Sequence, residues 1–76
     1  MLKKELEVLF NEMPKIVKDK LQPVMDNLLE RAEDLDNHPD KNSDDYDAER
    51  EDIIKEVRKV KYINDQWHIM NAKKNN

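Results

Sequence analysis

Apolar residues recur every three or four positions along the first half of the chain, the spacing that places side chains on one stripe of an α-helix. This pattern predicts a long amphipathic helical arm over residues 1–36. Pro14 and Pro23 fall inside it, and a proline either opens a helix at its first turn or deletes a hydrogen bond within one. We therefore expect the arm to be interrupted near Pro14 and kinked near Pro23. The stripe comprises Leu2, Leu6, Leu9, Met13, Val17, Leu21, Val24, Leu28, Ala32 and Leu35.

The second half of the chain has the same spacing and predicts a second helix over residues 44–70, followed by a tail over 71–76. A loop is expected over residues 37–43. Asn37 suits a left-handed C-cap, Pro39 cannot continue the first helix, and Ser43 or Asp44 can cap the second helix. The second stripe comprises Tyr46, Ile53, Val57, Val60, Asn64, Trp67 and either Met70 or Asn71.

Two helices joined by a short loop predict an all-α fold, an antiparallel helical hairpin that forms one domain over residues 1–76. A chain of this length builds only a thin core, and a bare hairpin buries one stripe per helix. It therefore needs either the segment before Pro14 folded back as a third helix or a second copy of itself. We prefer a monomer to a homodimer. The predicted core contains Leu21, Leu28, Leu35, Val57, Val60 and Trp67.

The composition argues against an enzyme, because the chain has no cysteine and no glycine. Without cysteine there is no disulfide framework, zinc thiolate site or cysteine nucleophile, and the absence fits a reducing compartment. Glycine-rich phosphate loops need backbone dihedrals that only glycine adopts easily, so no nucleotide cofactor is expected. Charged residues interrupt any signal peptide or membrane span. We expect a cytoplasmic protein with no cofactor and no membrane contact.

No metal site is predicted from the residues around the loop. A calcium-loop alignment that starts at Asp34 has Pro39 where the loop needs glycine and Asp45 where it needs a bidentate glutamate. His38 and His68 are too far apart in sequence to form a close pair of zinc ligands.

Charge is segregated along the chain. Residues 1–25 carry five basic and four acidic groups, residues 26–52 carry three and twelve, and residues 53–76 carry six and two. In a hairpin the middle segment forms the closed end and the two flanking segments form the open end, so the molecule is electrically bipolar. An acidic closed end of this kind can mimic nucleic acid and occupy a basic surface of a partner protein.

One face of the second helix is a candidate binding site. At about 100° per residue, the basic and apolar residues of this face lie opposite the buried stripe. Cations on such a face can contact phosphates, and an aromatic ring can stack on an unpaired base. A solvated surface with two stray apolar side chains has the same pattern. The candidate site for weak binding of single-stranded nucleic acid, or for a protein partner, comprises Lys55, Arg58, Tyr62, Ile69 and Lys73.

The loop contains the sequence "HPDKN", followed in the second helix by "AE" at residues 48–49 and "IKEV" at residues 54–57. These segments resemble the J-domain, a helical module whose loop carries His-Pro-Asp and stimulates the ATPase of seventy-kilodalton heat-shock chaperones. The resemblance implies that His38, Pro39 and Asp40 would act on the chaperone. The helix before the loop differs from that family, because Arg31 alone stands among acidic residues where J-domains are basic.

The whole chain resembles the small helical proteins encoded beside the recombination helicase UvsW of T-even bacteriophages, in length, in its lack of glycine and cysteine, and in its Asn, Asp and Lys bias. This resemblance implies a partner in phage DNA recombination and repair, such as that DNA helicase, within the host cytoplasm. The leading hypothesis is a non-enzymatic, helicase-associated accessory protein. A J-domain-like co-chaperone regulator and an acidic nucleic-acid mimic are the alternatives.

Overall fold

The computed structural model describes residues 1–74, and this part of the chain is all-α. It contains the helices α1 (Leu2–Asn11), α2 (Lys15–Asp36) and α3 (Asp44–Lys74). α2 packs against both α1 and α3, and the molecule is a rod of 51 × 17 × 17 Å. None of the helices described is both long enough and apolar enough to cross a lipid bilayer.

The two prolines of the predicted arm have different effects. α1 ends at Asn11 and α2 begins at Lys15, with Pro14 at the N-cap position of α2 at φ −59°. The break therefore falls where a proline's fixed φ suits the entry to a helix. Pro23 lies inside α2 without ending it, and it is exposed. Water can therefore hydrogen-bond the carbonyl oxygen one turn earlier, which the proline leaves without an N–H donor. The kink near Pro23 stays a prediction.

α1 folds back along α2 and points its N-terminus at the C-terminal end of α2. The backbone N–H groups of Leu2 and Lys3 donate to the two carboxylate oxygens of Asp36, each at 3.0 Å. Because Met1 provides no side-chain cap, Asp36 supplies it from another helix, and its negative charge suits the positive end of the α1 dipole. Lys3 also pairs with Glu33 at 3.0 Å, and this hydrogen bond is the main reason that the pKa of Lys3 is raised.

The position of α1 corrects one expectation from the charge pattern. The first 25 residues were expected to lie together at the open end of the hairpin, but α1 lies beside the last turns of α2, next to the loop. α1 lies there because its apolar residues Leu6 and Phe10 are buried in the core and its N-terminus is capped by Asp36. The structure therefore separates an acidic tip, residues 26–52, from a basic half, residues 14–25 and 53–74, with α1 packed along the tip.

Replacing Asp36 with alanine should lower the free energy of unfolding by about 1 kcal/mol, the usual loss for a helix cap. The matched control is Asp34→Ala, which removes the same charge from an exposed position of the same helix. Chemical denaturation followed by far-ultraviolet circular dichroism measures both variants. Equal losses would show that charge, and not capping of α1, accounts for the effect.

The buried core combines residues from all three helices. Within the predicted core, Leu28, Leu35, Val57 and Val60 are buried, whereas Leu21 and Trp67 are only partly buried and pack against its edge. In the described part of the chain the buried apolar residues are Leu6, Phe10, Met13, Val17, Met25, Leu28, Ala32, Leu35, Ile53, Val57 and Val60.

One position of the predicted stripe is wrong. Val24 is 46% exposed, and its neighbour Met25 is buried in its place. α2 has helices packed on two sides, so its buried surface is wider than a stripe that faces a single partner. Met25 lies about 100° further around the helix than Val24 and belongs to the part of that surface that faces α1.

The loop between α2 and α3 closes without a left-handed residue. Asn37 is the C-cap of α2, but its φ of −92° and ψ of 6° are not left-handed. No described residue has a positive φ. That prediction is therefore wrong. The last turn of α2 instead tightens into a hydrogen bond from the N–H of His38 to the carbonyl oxygen of Leu35, at 3.0 Å.

The structure defines both ends of α3, including the N-cap, which the sequence left open between Ser43 and Asp44. Ser43 is the N-cap, because its hydroxyl oxygen accepts a hydrogen bond from the N–H of Tyr46 at 3.1 Å. α3 continues to Lys74, past the end predicted at Met70. The added residues are asparagine, alanine and lysines, none of which breaks a helix as proline or glycine does.

Contacts between α2 and α3 are compatible with the expected hairpin. Near the tip, the Arg31 guanidinium forms ion pairs with Glu49, at 3.0 Å, and with Glu56. Partial burial lowers the pKa of Arg31, but the hydrogen bonds that it donates to these carboxylates outweigh the burial and raise the pKa overall. In the basic half, Val17 near the start of α2 and Trp67 near the end of α3 line the same cleft.

Candidate binding surfaces

The outer face of α3 is defined by Lys55, Arg58, Tyr62, Ile69 and Lys73. The first four of these residues are exposed. Tyr62 is 64% exposed and Ile69 is 49% exposed, which is high for large apolar side chains. The side chain of Lys73 lies outside the part of the chain that the structure describes. One exposed aromatic and one exposed aliphatic group therefore lie beside the cations, as the helical pattern predicts.

Lys55 and Arg58, two cations of the outer face, are available to bind an anionic ligand. All four ion pairs within the described residues use Lys3 or Arg31, so Lys55 and Arg58 are not held by carboxylates there. From Lys55 to Ile69 the face extends for about 21 Å at the helical rise of 1.5 Å per residue. A negatively charged, extended ligand can contact two unpaired cations and one aromatic ring along this length.

The His-Pro-Asp loop is built by its own side chains. His38 Nδ1 accepts a hydrogen bond from the N–H of Asp40 at 3.1 Å, and Asp40 Oδ1 accepts one from the N–H of Asn42 at 3.0 Å. The His38 ring packs edge-on against Tyr46, with 5.8 Å between ring centroids. His38 and Asp40 therefore form the turn into α3, and Pro39 is exposed between them. The chaperone role that the J-domain resemblance implies stays a prediction.

The acidic tip presents most of its charge to water. Of its twelve carboxylates ten are exposed, and only Asp36 and Glu49 are half-buried. Those two are occupied by the α1 cap and by Arg31. No group of three or more possible metal ligands occurs among the described residues.

An apolar cleft in the basic half is a site that the sequence analysis missed. It has a volume of about 370 Å³ between α2 and α3 and is open to solvent. Met70 is 63% exposed beside it, while Asn71 takes the position on the buried stripe and donates to the carbonyl oxygen of Trp67 at 2.9 Å. The cleft is lined by Val17, Lys20, Leu21, Tyr62, Ile63, Gln66, Trp67 and Met70.

A single stripe per helix cannot predict this cleft. Ile63 and Met70 lie on the flank of the α3 stripe, and their exposure follows only when the position of α2 is known. The available signal was Ile63, which is apolar although it does not continue the spacing of the stripe, while Met70 was one of the two alternatives for its last position.

The fold and these surfaces define a small all-α protein of three packed helices, with a basic outer face, an acidic tip and an apolar cleft. No protein-family model matches this chain, and no curated protein or solved structure shows significant similarity to it.

Proposed function

We propose that this chain is a non-enzymatic helical-hairpin protein that acts by binding, as an accessory to phage DNA recombination and repair machinery in the host cytoplasm. The outer face of α3 is the observation that carries the binding role. The phage setting, and a DNA helicase as the protein partner, come from the resemblance of the whole chain. In the proposed form, α2 and α3 are antiparallel and α2 is kinked near Pro23.

Two sets of contacts support the antiparallel arrangement. Arg31, close to the end of α2, pairs with Glu49 close to the start of α3. At the opposite end of the rod, Val17 and Trp67 share the apolar cleft. Early residues of α2 thus lie beside late residues of α3. In this arrangement the outer face lies on a helix that α2, the shorter of the two, supports over much of its length.

The outer face is suited to weak, salt-sensitive contact with a single strand. Lys55 and Arg58 can neutralise phosphates, and the exposed ring of Tyr62 can stack on an unpaired base. Ile69 extends the apolar contact. The acidic tip of the same molecule repels a polyanion, so the affinity is expected to be low.

Replacing Arg58 and Tyr62 separately should have different effects on single-stranded DNA binding. Arg58→Ala should reduce the dependence of the logarithm of the binding constant on the logarithm of salt concentration by about 0.7, one phosphate contact. Tyr62→Ala should lower the affinity without changing that slope, because stacking is largely uncharged. Amide chemical-shift titrations with an oligonucleotide at several salt concentrations measure both quantities.

The control for these variants is Lys15→Ala, which removes one exposed cation from α2 and should leave the slope nearly unchanged. If no amide on the outer face shifts at low salt with millimolar oligonucleotide, direct nucleic-acid binding is wrong. The same face would then be assigned to the protein partner.

The acidic tip supports a second candidate function, nucleic-acid mimicry. Ten exposed carboxylates at one end of a narrow rod form an anionic surface that a basic protein groove can accept. The two functions are distinguishable, because a mimic competes with nucleic acid for its partner whereas the outer face binds the strand itself.

A further inference from the structure

The exposed apolar side chains are concentrated in the basic half. Among the residues that the structure describes, eight large hydrophobic residues are exposed, and six of them lie in this half: Ile16, Val24, Tyr62, Ile63, Ile69 and Met70. The apolar cleft joins Ile63 and Met70 to the half-buried Trp67 and Leu21. Adjacent exposed apolar groups around a concave site are typical of a protein-binding surface.

The charge around the cleft is positive. Residues 14–25 carry three basic and one acidic group, and residues 53–74 carry six and two, which gives the basic half a net charge of +6. Lys20 is the charged residue in the cleft lining, and no carboxylate belongs to that lining. Lys59 is exposed one helical turn before Ile63, on the same flank of α3. A ligand of the cleft therefore combines apolar anchors with negative charge.

We propose that the apolar cleft binds an amphipathic helix of a partner protein, with aliphatic side chains along one stripe and Asp or Glu on its flanks. An open groove between two helices accepts the side chains that a helix presents at intervals of three and four residues. Acidic flanks on such a helix would lie beside Lys20 and Lys59. The cleft and the outer face overlap only at Tyr62, which belongs to both.

A second copy of this chain is a poorer occupant. Two basic halves that meet at their clefts would bring like charges together. The acidic tip has the required charge, but none of the exposed large hydrophobic residues lies in residues 26–52. Met1, at the N-cap of α1, and Val8 are exposed, and α1 packs along the tip, but α1 carries two lysines and two glutamates and so lacks a net negative charge. Residues 26–52 thus supply charge without an apolar anchor, and α1 supplies apolar anchors without net charge.

The test uses the full chain and a synthetic peptide of about 18 residues, long enough to form a helix on binding. The peptide carries leucines on one stripe, glutamates on both flanks and no tryptophan. Trp67, the only tryptophan of the protein, lines the cleft and reports binding by its emission. A peptide with lysine in place of glutamate, and a scrambled peptide without the stripe, are the matched probes.

We expect the glutamate peptide to shift Trp67 emission to shorter wavelength and to bind about tenfold more tightly than either matched probe. Ile63→Ser should weaken this binding by about tenfold, whereas Ile69→Ser, on the outer face of the same helix, should change it less than about twofold. Ile63 and Ile69 are 46% and 49% exposed, so the two variants differ mainly in position. Lys20→Glu should weaken binding more than Lys15→Glu, which makes the same charge change outside the cleft.

Equal affinity for the glutamate and lysine peptides in the wild-type protein would overturn the proposal, and this comparison does not depend on how well a variant folds. An emission shift with anionic phospholipid vesicles and none with the glutamate peptide would assign the cleft to a membrane surface instead. Self-association in sedimentation that Ile63→Ser abolishes would assign it to a second copy. Normal circular dichroism spectra for both serine variants exclude misfolding as the cause of a lost signal.

Discussion

Replacing Ile53 with alanine should lower the free energy of unfolding by about 3 kcal/mol, because the substitution leaves a cavity in addition to removing buried methyl and methylene groups. Ile53 is 0% exposed and lies in α3 within the core shared with α2. Small domains have a total stability of about 5–15 kcal/mol, so this loss is a large part of the whole. Urea denaturation followed by circular dichroism measures it.

The control is Ile69→Ala, which removes the same atoms from the same helix where they are 49% exposed. Its effect should stay within about 0.5 kcal/mol, as for most surface substitutions. Similar losses in both variants would mean that burial does not set the cost and that the core of α3 is misplaced, since alanine is the better helix former and helix propensity cannot cause a loss at either position. Trp67→Ala should cost less than a fully buried aromatic does, because Trp67 lies half-buried at the edge of the core.

The spacing of apolar residues predicts much of this core because α3 has a single buried stripe. Ile53, Val57 and Val60 are buried where the spacing places them. For the same reason the outer face of α3 follows from the sequence: a residue opposite one stripe is exposed wherever the partner helix lies. Fold class and one candidate surface thus depend only on local geometry.

The remaining features depend on contacts between distant parts of the chain. Met25 replaces Val24 in the core because α2 has two neighbours, and the sequence alone does not specify on which side α1 docks. The cap that Asp36 supplies to α1 joins residues more than thirty positions apart. The apolar cleft likewise forms only when α2 and α3 are both in place, because Ile63 lines it together with residues of α2.

Replacing Phe10 with alanine should detach α1 from the rest of the molecule. Phe10 is 3% exposed near the C-terminal end of α1, and the Asp36 cap holds the other end. Truncation of a buried phenylalanine costs about 3–5 kcal/mol. Native-state amide hydrogen exchange should therefore show protection in α1 falling at least about a hundredfold, the equivalent of 3 kcal/mol. Val8→Ala, at a position that is 56% exposed on the same helix, is the control and should leave that protection nearly unchanged.

Which helices lose protection in Phe10→Ala is more informative than the size of the loss. α1 and α3 each pack against α2, and the two make no close backbone contact with each other among the described residues, so α1 can open without separating α2 from α3. Amides of α3 around Ile53 and Val57 should keep more protection than those of α1, as expected when segments open independently. If Phe10→Ala removes protection equally from all three helices, α1 is required for the hairpin itself. The outer face and the apolar cleft would then depend on α1 although neither includes a residue from it.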